Sequence, residues 1–594
     1  MSEKRVSPQG RFDALEFALI LSECVYQETL GDTVASQQRY RLSDSHPGGH
    51  KMYLGTSSGK VMTHPRPQLE RVTAALPQSH HILEDILADS LTRRVFAWMT
   101  RRDPDGKCFF MRLCENYDNP HADFWQQLKW SVPNRMIDLA LWKTGLDKAT
   151  MKQKLFHHPP TVKALTLTAK SIATYGLTVP QRYTAPMFPV WNLTQACNLN
   201  CQHCYQNAHP RPDSDELTTD EKLNLIDQMG EEFVPFVAFA GGEPLVAPDL
   251  WQVLDRCRLR GIHVTLATNG TLLTPEMCAR LKAAGVKYVE VSLDSIDAEV
   301  HNAFRGQPKA WERSVQGIRN CVASGIKTGM ATCFTRHTAH KLDDTIQFAL
   351  DLGCQTFSHF NFIPVGRGRE IIDEDLTPGQ RELLLRRLQE HLTEGKITVV
   401  STAPQFGRAC VAYGPEAGLF ATGHAGRGPG KKTMVLSRYI GGCGTGRCYC
   451  AIQPNGIITP CVYISDIKVG DIRQKSFAEI WNNELFDTLA DREDRGDHCG
   501  VCTYRHYCGG CRARALAYTG DIQAGDPGCI YNQHQWQELT AEAGFVEARD
   551  DEVQLALARM EKAADLVQIA AAGARSGELK GMTGRDVRDR AERQ

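Results

Sequence analysis

The sequence lacks any apolar run approaching the roughly 18 residues that cross a bilayer, so it offers no membrane anchor. Its longest apolar stretch near the start, Phe17–Val25, is short, follows Asp13 and Glu16, and has no basic leader. It reads as a buried helix rather than a signal peptide, and the expected compartment is cytoplasmic. An excess of one charge is also lacking. The 68 basic and 69 acidic residues leave a net charge of −1, which gives no overall pull toward nucleic acid or an anionic surface. No internal repeat is visible. Cysteine is scarce at first, with three in the first 196 residues, Cys24, Cys108 and Cys114.

Further along, cysteine is abundant and clustered. The chain holds 21 in 594 residues. Three lie between Cys197 and Cys204 and nine between Cys443 and Cys529. A disulfide scaffold is expected in short secreted chains, which this is not. Dense thiols in a reducing compartment point instead to metal ligation or redox chemistry.

The hydrophobic pattern divides the chain. Residues 1–180 form a mainly helical N-terminal domain with helical stretches at Ile82–Met99 and Pro133–Leu146, a polar loop at His46–His50, and no motif that assigns a role. Residues 181–403 alternate short β-rich runs with amphipathic ones. The expected strands are Met187–Leu193, Pro235–Ala240, His263–Thr268, Lys287–Ser292, Lys327–Cys333 and Thr356–Phe362. The expected helices between them are Thr219–Met229, Pro248–Arg258, Pro275–Ala284, Ala310–Ser324 and Lys341–Leu352. This alternation predicts an α/β domain with a parallel sheet, as a partial (β/α)6 TIM-like barrel. Ligands of such folds bind at the carboxyl ends of the strands. Residues 366–400 read as a connecting helical segment and 404–440 as a glycine-rich linker. Residues 441–530 form a small cysteine-rich domain, and 531–594 a helical tail.

The first cysteine group, Cys197, Cys201 and Cys204, has the spacing C-x3-C-x2-C directly after a strand, and Tyr205 follows it. Three thiolates can hold one face of a [4Fe–4S] cube and leave the fourth iron open. The competing readings are a zinc site or buried free thiols. The strand ends that follow carry Gly241-Gly242-Glu243-Pro244, then Thr268-Asn269-Gly270, then Ser292 and Asp294, then His301 to Arg305-Gly306, and finally Gly366-Arg367-Gly368-Arg369. Each segment alone is a common turn. Their order behind the cysteine motif is specific, and from about Met187 to Arg369 the chain resembles the radical S-adenosylmethionine (radical SAM) superfamily.

That resemblance implies a [4Fe–4S] cluster and S-adenosylmethionine (SAM) as cofactors. Reductive cleavage of SAM would yield a 5′-deoxyadenosyl radical that takes hydrogen from a substrate. It implies that Cys197, Cys201 and Cys204 are the catalytic cluster ligands and that Tyr205 shields the cluster. It also implies cofactor binding by Gly241, Gly242 and Glu243 at the methionine amino group, by Thr268 and Asn269 beside the cofactor, and by Ser292, Asp294 and Arg305 near the ribose or carboxylate.

The second group runs Cys443, Cys448, Cys450, Cys461, then Cys499, Cys502, Cys508, Cys511 and Cys529. It resembles the SPASM domain, which holds auxiliary [4Fe–4S] clusters, one or two here. Carried over by motif, one cluster takes Cys443, Cys461, Cys511 and either Cys448 or Cys450. The other takes Cys499, Cys502, Cys508 and Cys529. The family places three residues between the last two cysteines of its run, whereas Cys508 and Cys511 enclose two. Zinc could staple the same fold, although Cys-x2-Cys pairs only five residues apart leave little room for a zinc-ribbon hairpin.

The remaining cysteines read as small buried apolar residues, and His157–His158 as surface polarity. Gly426–Lys432 fails the phosphate-loop pattern, since Ala425 and Lys432 replace the required glycine and hydroxyl. The basic run Lys152–Lys170 reads as a solvated helix face. The family implies radical-based modification of a substrate. The Gly-Cys-Gly…Cys and Cys-Gly-Gly-Cys-Arg-Ala-Arg-Ala forms resemble the branch of the family that acts on tetrapyrroles of haem pathways, which implies such a substrate, and a peptide or protein side chain is the alternative. A low-potential donor such as ferredoxin or flavodoxin is the expected electron partner, with no nucleic acid and no transmembrane segment. The reading of another class is an iron–sulfur electron carrier without radical chemistry. Intact GGEP and TNG turns weigh against it, because a carrier needs no methionine-binding face.

Overall fold

In the computed structural model, residues 87, 89–119, 121, 123–144, 156, 158–413, 420–422, 426–428 and 438–542 are described. The readings at Phe17–Val25, His46–His50, Cys24, Lys152, His157 and Lys432, the first residues of Ile82–Met99, and the tail beyond Glu542 lie outside these residues. Among the described residues four helices come first, α1 (Ser90–Met99), α2 (Phe109–Asn116), α3 (Phe124–Thr144) and α4 (Pro159–Tyr175). Proline at the start of α4 fits because the first helical N–H groups need no partner. Within its described part, the run read as a solvated face has its lysines wholly or partly covered. Lys163 in α4 is buried, and burial pushes its amine down to about 8. Lys170 pairs with Glu232 at 2.6 Å. Helix α4 is buried around most of its surface from Val162 to Ile172, Lys163 included, while Lys170 is half-buried.

The barrel follows as β1 (Val190–Asn192), α5 (Thr219–Glu231), β2 (Phe236–Ala240), α6 (Leu250–Leu259), β3 (His263–Thr268), α7 (Pro275–Ala283) and β4 (Tyr288–Ser292). Then come α8 (Ala298–Arg305), α9 (Ala310–Ala323), β5 (Lys327–Cys333), α10 (Leu342–Asp351), β6 (Thr356–Phe360), α11 (Pro378–Glu394), β7 (Thr398–Ser401) and α12 (Gln405–Tyr413). Strands β1 to β7 pair in order and all in parallel. Every expected strand and helix of the alternating region is present, with ends shifted by a few residues. Strand β7 was not expected. It lies inside the segment read as helical, and only four residues at the sheet edge carry its β signal. Helix α12 likewise lies inside the glycine-rich segment, where its buried residues Phe406 and Ala409 sit close to several glycines.

Beyond a short pair of strands, β8 (Phe420–Thr422) and β9 (Gly426–Gly428), the cysteine-rich region adds β10 (Ala451–Ile452), β11 (Ile457–Thr459) and β12 (Gly470–Asp471). Strand β10 pairs in parallel with β1, and β11 and β12 extend the sheet antiparallel. The cysteine-rich region therefore continues the barrel sheet past its first strand, giving one sheet of ten strands. Short helices complete it: α13 (Phe477–Trp481), α14 (Glu484–Ala490), α15 (Asp497–Val501), α16 (Arg512–Thr519) and α17 (Gln533–Glu542). No described helix is long and apolar enough to cross a membrane.

Candidate functional site

The loop after β1 carries Cys197, Cys201 and Cys204, and its backbone is clamped on two sides. Gly242 donates its N–H to Thr194 O and Glu243 donates to Ala196 O, each at 2.8 Å. A Cβ on Gly242 would lie 2.1 Å from Ala196 O. On the other side Gly366 has φ +57°, and a Cβ there would meet Cys204 O at 2.3 Å. Glycine is needed at both places because backbone approaches backbone. Arg367 completes the clamp, with Nε donating to Cys201 O and Nη1 to Ala208 O, both at 2.8 Å. The loop's course is thus fixed by protein contacts on both sides.

The three cysteines, with Tyr205, line one cavity of about 320 Å³ inside the barrel. Burial pushes the Cys197 thiol up to about 12 and raises that of Cys201. Arg305 opposes this at Cys201, with Nη1 3.7 Å from the sulfur. Protonated thiols tolerate such burial, whereas thiolates need cations. A bound iron supplies those cations, so the donor set fits a cluster held by sulfur.

Gly241, Gly242, Thr268, Asn269, Ser292, Asp294 and Arg305 also face this cavity. They come from the ends of β2, β3 and β4 and from α8, where the fold places ligands. Glu243 is different. It is fully buried behind the wall, where its carboxylate accepts from Thr268 Oγ1 (2.7 Å), Asn269 N (2.8 Å) and Leu245 N (3.1 Å). Burial raises its acid to about 6 despite these donors. It braces the turn after β3 rather than lining the cavity. Asp294 is spent on protein partners too, accepting from Arg305 Nε at 2.6 Å and Cys333 N at 3.1 Å.

The second cysteine group splits in space. Cys443, Cys461 and Cys511 line the same cavity as the first triad. The Cys461 thiol is raised by burial and then by Cys443 and Cys511. Cys499, Cys502, Cys508 and Cys529 do not face the cavity and influence one another instead, with Cys508 raised by burial and by Cys499 and Cys502, and Cys529 by burial and by Cys499 and Cys508. Cys448 and Cys450 are buried at the start of β10, where their carbonyls accept from Met187, Phe188 and Val190. Cys450 is raised by burial alone.

Three features carry little sequence signal. Tyr463 meets Tyr205 edge to face at 5.1 Å, between the first triad and Cys461. Asp526 is fully buried and touches both auxiliary sets, accepting from Cys511 N at 2.7 Å and donating its N–H to Cys499 Sγ at 3.4 Å. Its place three residues before Cys529 was the available clue. In the barrel floor Glu290 accepts from Ser358 Oγ at 2.5 Å and Tyr288 Oη at 3.2 Å.

Comparison with known proteins matches this architecture. The profile of the radical SAM superfamily matches residues 191–349, and that of the SPASM iron–sulfur cluster-binding domain matches 443–511. An AdoMet-dependent heme synthase of Methanosarcina barkeri is 36% identical over 349 residues, covering 58% of this chain and 97% of that protein. Mycofactocin maturase MftC of Mycobacterium tuberculosis (strain H37Rv) is 31% identical over 374 residues, covering 62% and 88%. The crystal structure of Streptococcus suis SuiB bound to S-adenosylmethionine shares the fold, with a TM-score of 0.51 at 16% identity over 71% of this chain and 93% of that one. The chain belongs to the radical SAM superfamily and carries a SPASM-type domain. It is an enzyme of that class, which uses SAM and iron–sulfur clusters.

Proposed function

We propose that the enzyme removes hydrogen from a carboxylate-bearing tetrapyrrole on a haem pathway. Cys197, Cys201 and Cys204 hold the cluster that binds SAM. Cys443, Cys461 and Cys511, with Cys448 or Cys450, hold one auxiliary cluster, and Cys499, Cys502, Cys508 and Cys529 hold a second. A bound SAM molecule supplies a primary carbon radical when reduced. Gly241, Gly242, Thr268, Asn269, Ser292 and Arg305 form the wall that orients it, and Tyr205 keeps water from the triad. The observation that carries this reading is the meeting of the first triad and Cys443, Cys461 and Cys511 on one cavity. A substrate held there would share one cavity with the cysteines that would hold the radical-generating cluster and with those that would hold an electron-accepting one. Such an acceptor takes the electron left behind when hydrogen loss leads to an oxidised product. Ferredoxin or flavodoxin supplies the low-potential electron, and the protein works in the cytoplasm.

The tetrapyrrole is favoured by identity to the heme synthase, 36% over nearly its whole length. A peptide substrate is the second reading, supported by the maturase relative at 31%. The test is anaerobic turnover of the reconstituted enzyme with SAM and a reductant. One arm contains Fe-coproporphyrin III and another glycine-rich peptides encoded beside the gene. Substrate-dependent 5′-deoxyadenosine with loss of carboxylate from the porphyrin is expected. Turnover of a peptide alone would overturn the tetrapyrrole assignment.

A further inference from the structure

Among the described residues, the cysteine-rich region buries four arginines that form no ion pair. Arg447, Arg492, Arg495 and Arg512 are each less than a tenth exposed. Their bonds run to neutral groups. Arg492 donates to the carbonyls of Arg505, His506, Gly441 and Cys443. Arg512 donates to those of Gly510, Ile522 and Ala524. Arg495 reaches Leu489 O and the Gln523 side chain, and Arg447 the carbonyls of Gln181, Tyr439 and Ile440. Among the described residues none of the four forms an ion pair, and Nε of Arg447, Nε of Arg495 and Nη2 of Arg512 have no acceptor at all. Nearby buried arginines also leave one nitrogen without a hydrogen-bond acceptor, but they are ion-paired. Arg408 pairs with Glu382, Arg381 with Asp375, and Arg514 with Asp375 and Asp526.

An isolated buried cation is costly, and natural proteins pair it. Here the missing charge lies between the cysteine sets. Arg492 binds Cys443 O at 3.0 Å, while Cys443 N–H donates to Cys508 O at 2.8 Å, so its head sits where one residue of each set meets. A Cβ on Gly510 would lie 2.4 Å from Arg512 Nη2, 3.0 Å from Cys499 Sγ and 3.2 Å from Asp526 Cβ, which brings that unpartnered nitrogen near a sulfur of the outer set and near Asp526, whose carboxylate is paired with Arg514 instead. An oxidised cube with four thiolates carries two net negative charges, and one with three carries one. Two cubes on these sets would carry three or four, close to the four arginine charges.

We propose that Arg492, Arg495 and Arg512, backed by Arg447, are the shared counter-cations of both auxiliary cysteine sets and raise the reduction potentials of the clusters there. The inference rests on the reading that each set holds an iron–sulfur cluster. Reduction adds one electron and one negative charge to a site. A fixed cation in a low-dielectric interior favours that reduced form. Arg492 stands where the sets meet, and Cys443 and Cys499, one from each set, both act on the charge of Arg495, so removing either arginine shifts both potentials.

The test is an EPR-monitored dithionite titration of the holoenzyme and of Arg492→Gln and Arg492→Lys, with iron and sulfide counted in each. The signal that changes when SAM is added belongs to the first triad and is set aside. In Arg492→Gln the oxidised-to-reduced ratio of both auxiliary signals at fixed potential is expected to rise at least tenfold, a downward shift of ~59 mV for one electron. Arg492→Lys, which keeps the charge, is expected to recover most of it. Unchanged potentials in a Gln variant of full iron content would overturn the proposal, as would a Lys variant as low as the Gln one. Should Arg492→Gln shed iron, Arg495→Gln is titrated by the same criteria. Wild-type enzyme with zinc or no metal on these sets would instead refute the cluster reading itself.

Discussion

Glu243 and Asn269 are joined across the strand ends by a 2.8 Å hydrogen bond from the Asn269 backbone N–H to the buried carboxylate. The same carboxylate holds Thr268 and Leu245. One side chain of β2's exit loop therefore fixes the turn that follows β3. Removing it by Glu243→Ala strands three donors, and each unpaired buried group costs roughly 1–3 kcal/mol. We expect a lower melting temperature and at least roughly tenfold weaker SAM binding, since 1.4 kcal/mol is about a factor of ten. Equilibrium dialysis and thermal unfolding measure the two effects separately.

The same residue gives the fold a pH dependence. Burial raises its acid from the model-compound value of 4.5 to about 6. The folded protein then binds a proton that the unfolded chain releases in this window, so stability falls as pH rises from 4.5 through about 6. The loss is roughly 2 kcal/mol, at about 1.4 per pKa unit. Glu243→Gln has no carboxyl to ionise and is expected to lack this component. Parallel melting curves of the two proteins between pH 5 and 7 would show it, and identical slopes would remove Glu243 from the account.

Gly242→Ala tests the clamp on the cysteine loop. The added methyl group would sit 2.1 Å from Ala196 O, against backbone that cannot step aside. Overpacking of this kind costs roughly 1–3 kcal/mol. The strain falls on the loop, while β2 to β7 keep their pairing. The expected protein folds, keeps its auxiliary iron and loses SAM cleavage. Cleavage at the wild-type rate would show that the loop tolerates displacement.

Cys201→Ala and Cys502→Ala separate the two kinds of cysteine set. The first removes a thiol facing the cavity beside Arg305. It is expected to abolish 5′-deoxyadenosine formation. The second removes a thiol from the set that stands back from the cavity. It is expected to leave measurable uncoupled cleavage while substrate turnover falls. Equal loss in both would refute the division into radical and auxiliary roles.

The alternating region was legible because each strand is short, carries β-branched or aromatic residues, and is followed by an amphipathic helix. The motif glycines were legible for the same reason, since turns at strand ends demand them. What stayed hidden depends on contacts between distant segments. Glu243 looks like a ligand in the sequence, and only the fold turns it toward Thr268. Lys163 looks solvated until α4 is seen to be covered on its basic side too. Strand β7 and the joining of β10 to β1 leave almost no local pattern, because each involves two to four residues. Arg492 and Arg512 look like ordinary surface charge until their burial is known.

Arg514 is expected to be the residue that most firmly ties the cysteine-rich region to the barrel. It is fully buried in α16. Its guanidinium donates to Asn361 Oδ1 at 2.7 Å and Phe362 O at 2.8 Å, just after β6, and to Asp375 at 3.3 Å. Asp375 in turn accepts from Arg381 Nη2 at 2.6 Å. Asp526, beside both auxiliary sets, lies 3.6 Å from Arg514 Nη1. Removing one partner of such a buried network leaves its charges uncompensated, at a cost of roughly 3–5 kcal/mol. Arg514→Met keeps most of the side-chain volume but removes the charge that two aspartates share. It is expected to unfold at lower denaturant and to lose auxiliary iron before the iron of the first triad. The double variant Arg514→Met with Asp526→Asn removes one of the stranded charges. It is expected to recover part of the loss, so the two changes couple rather than add. Simple additivity in denaturant titrations would show that the ion pair at 3.6 Å contributes nothing to holding the two regions together.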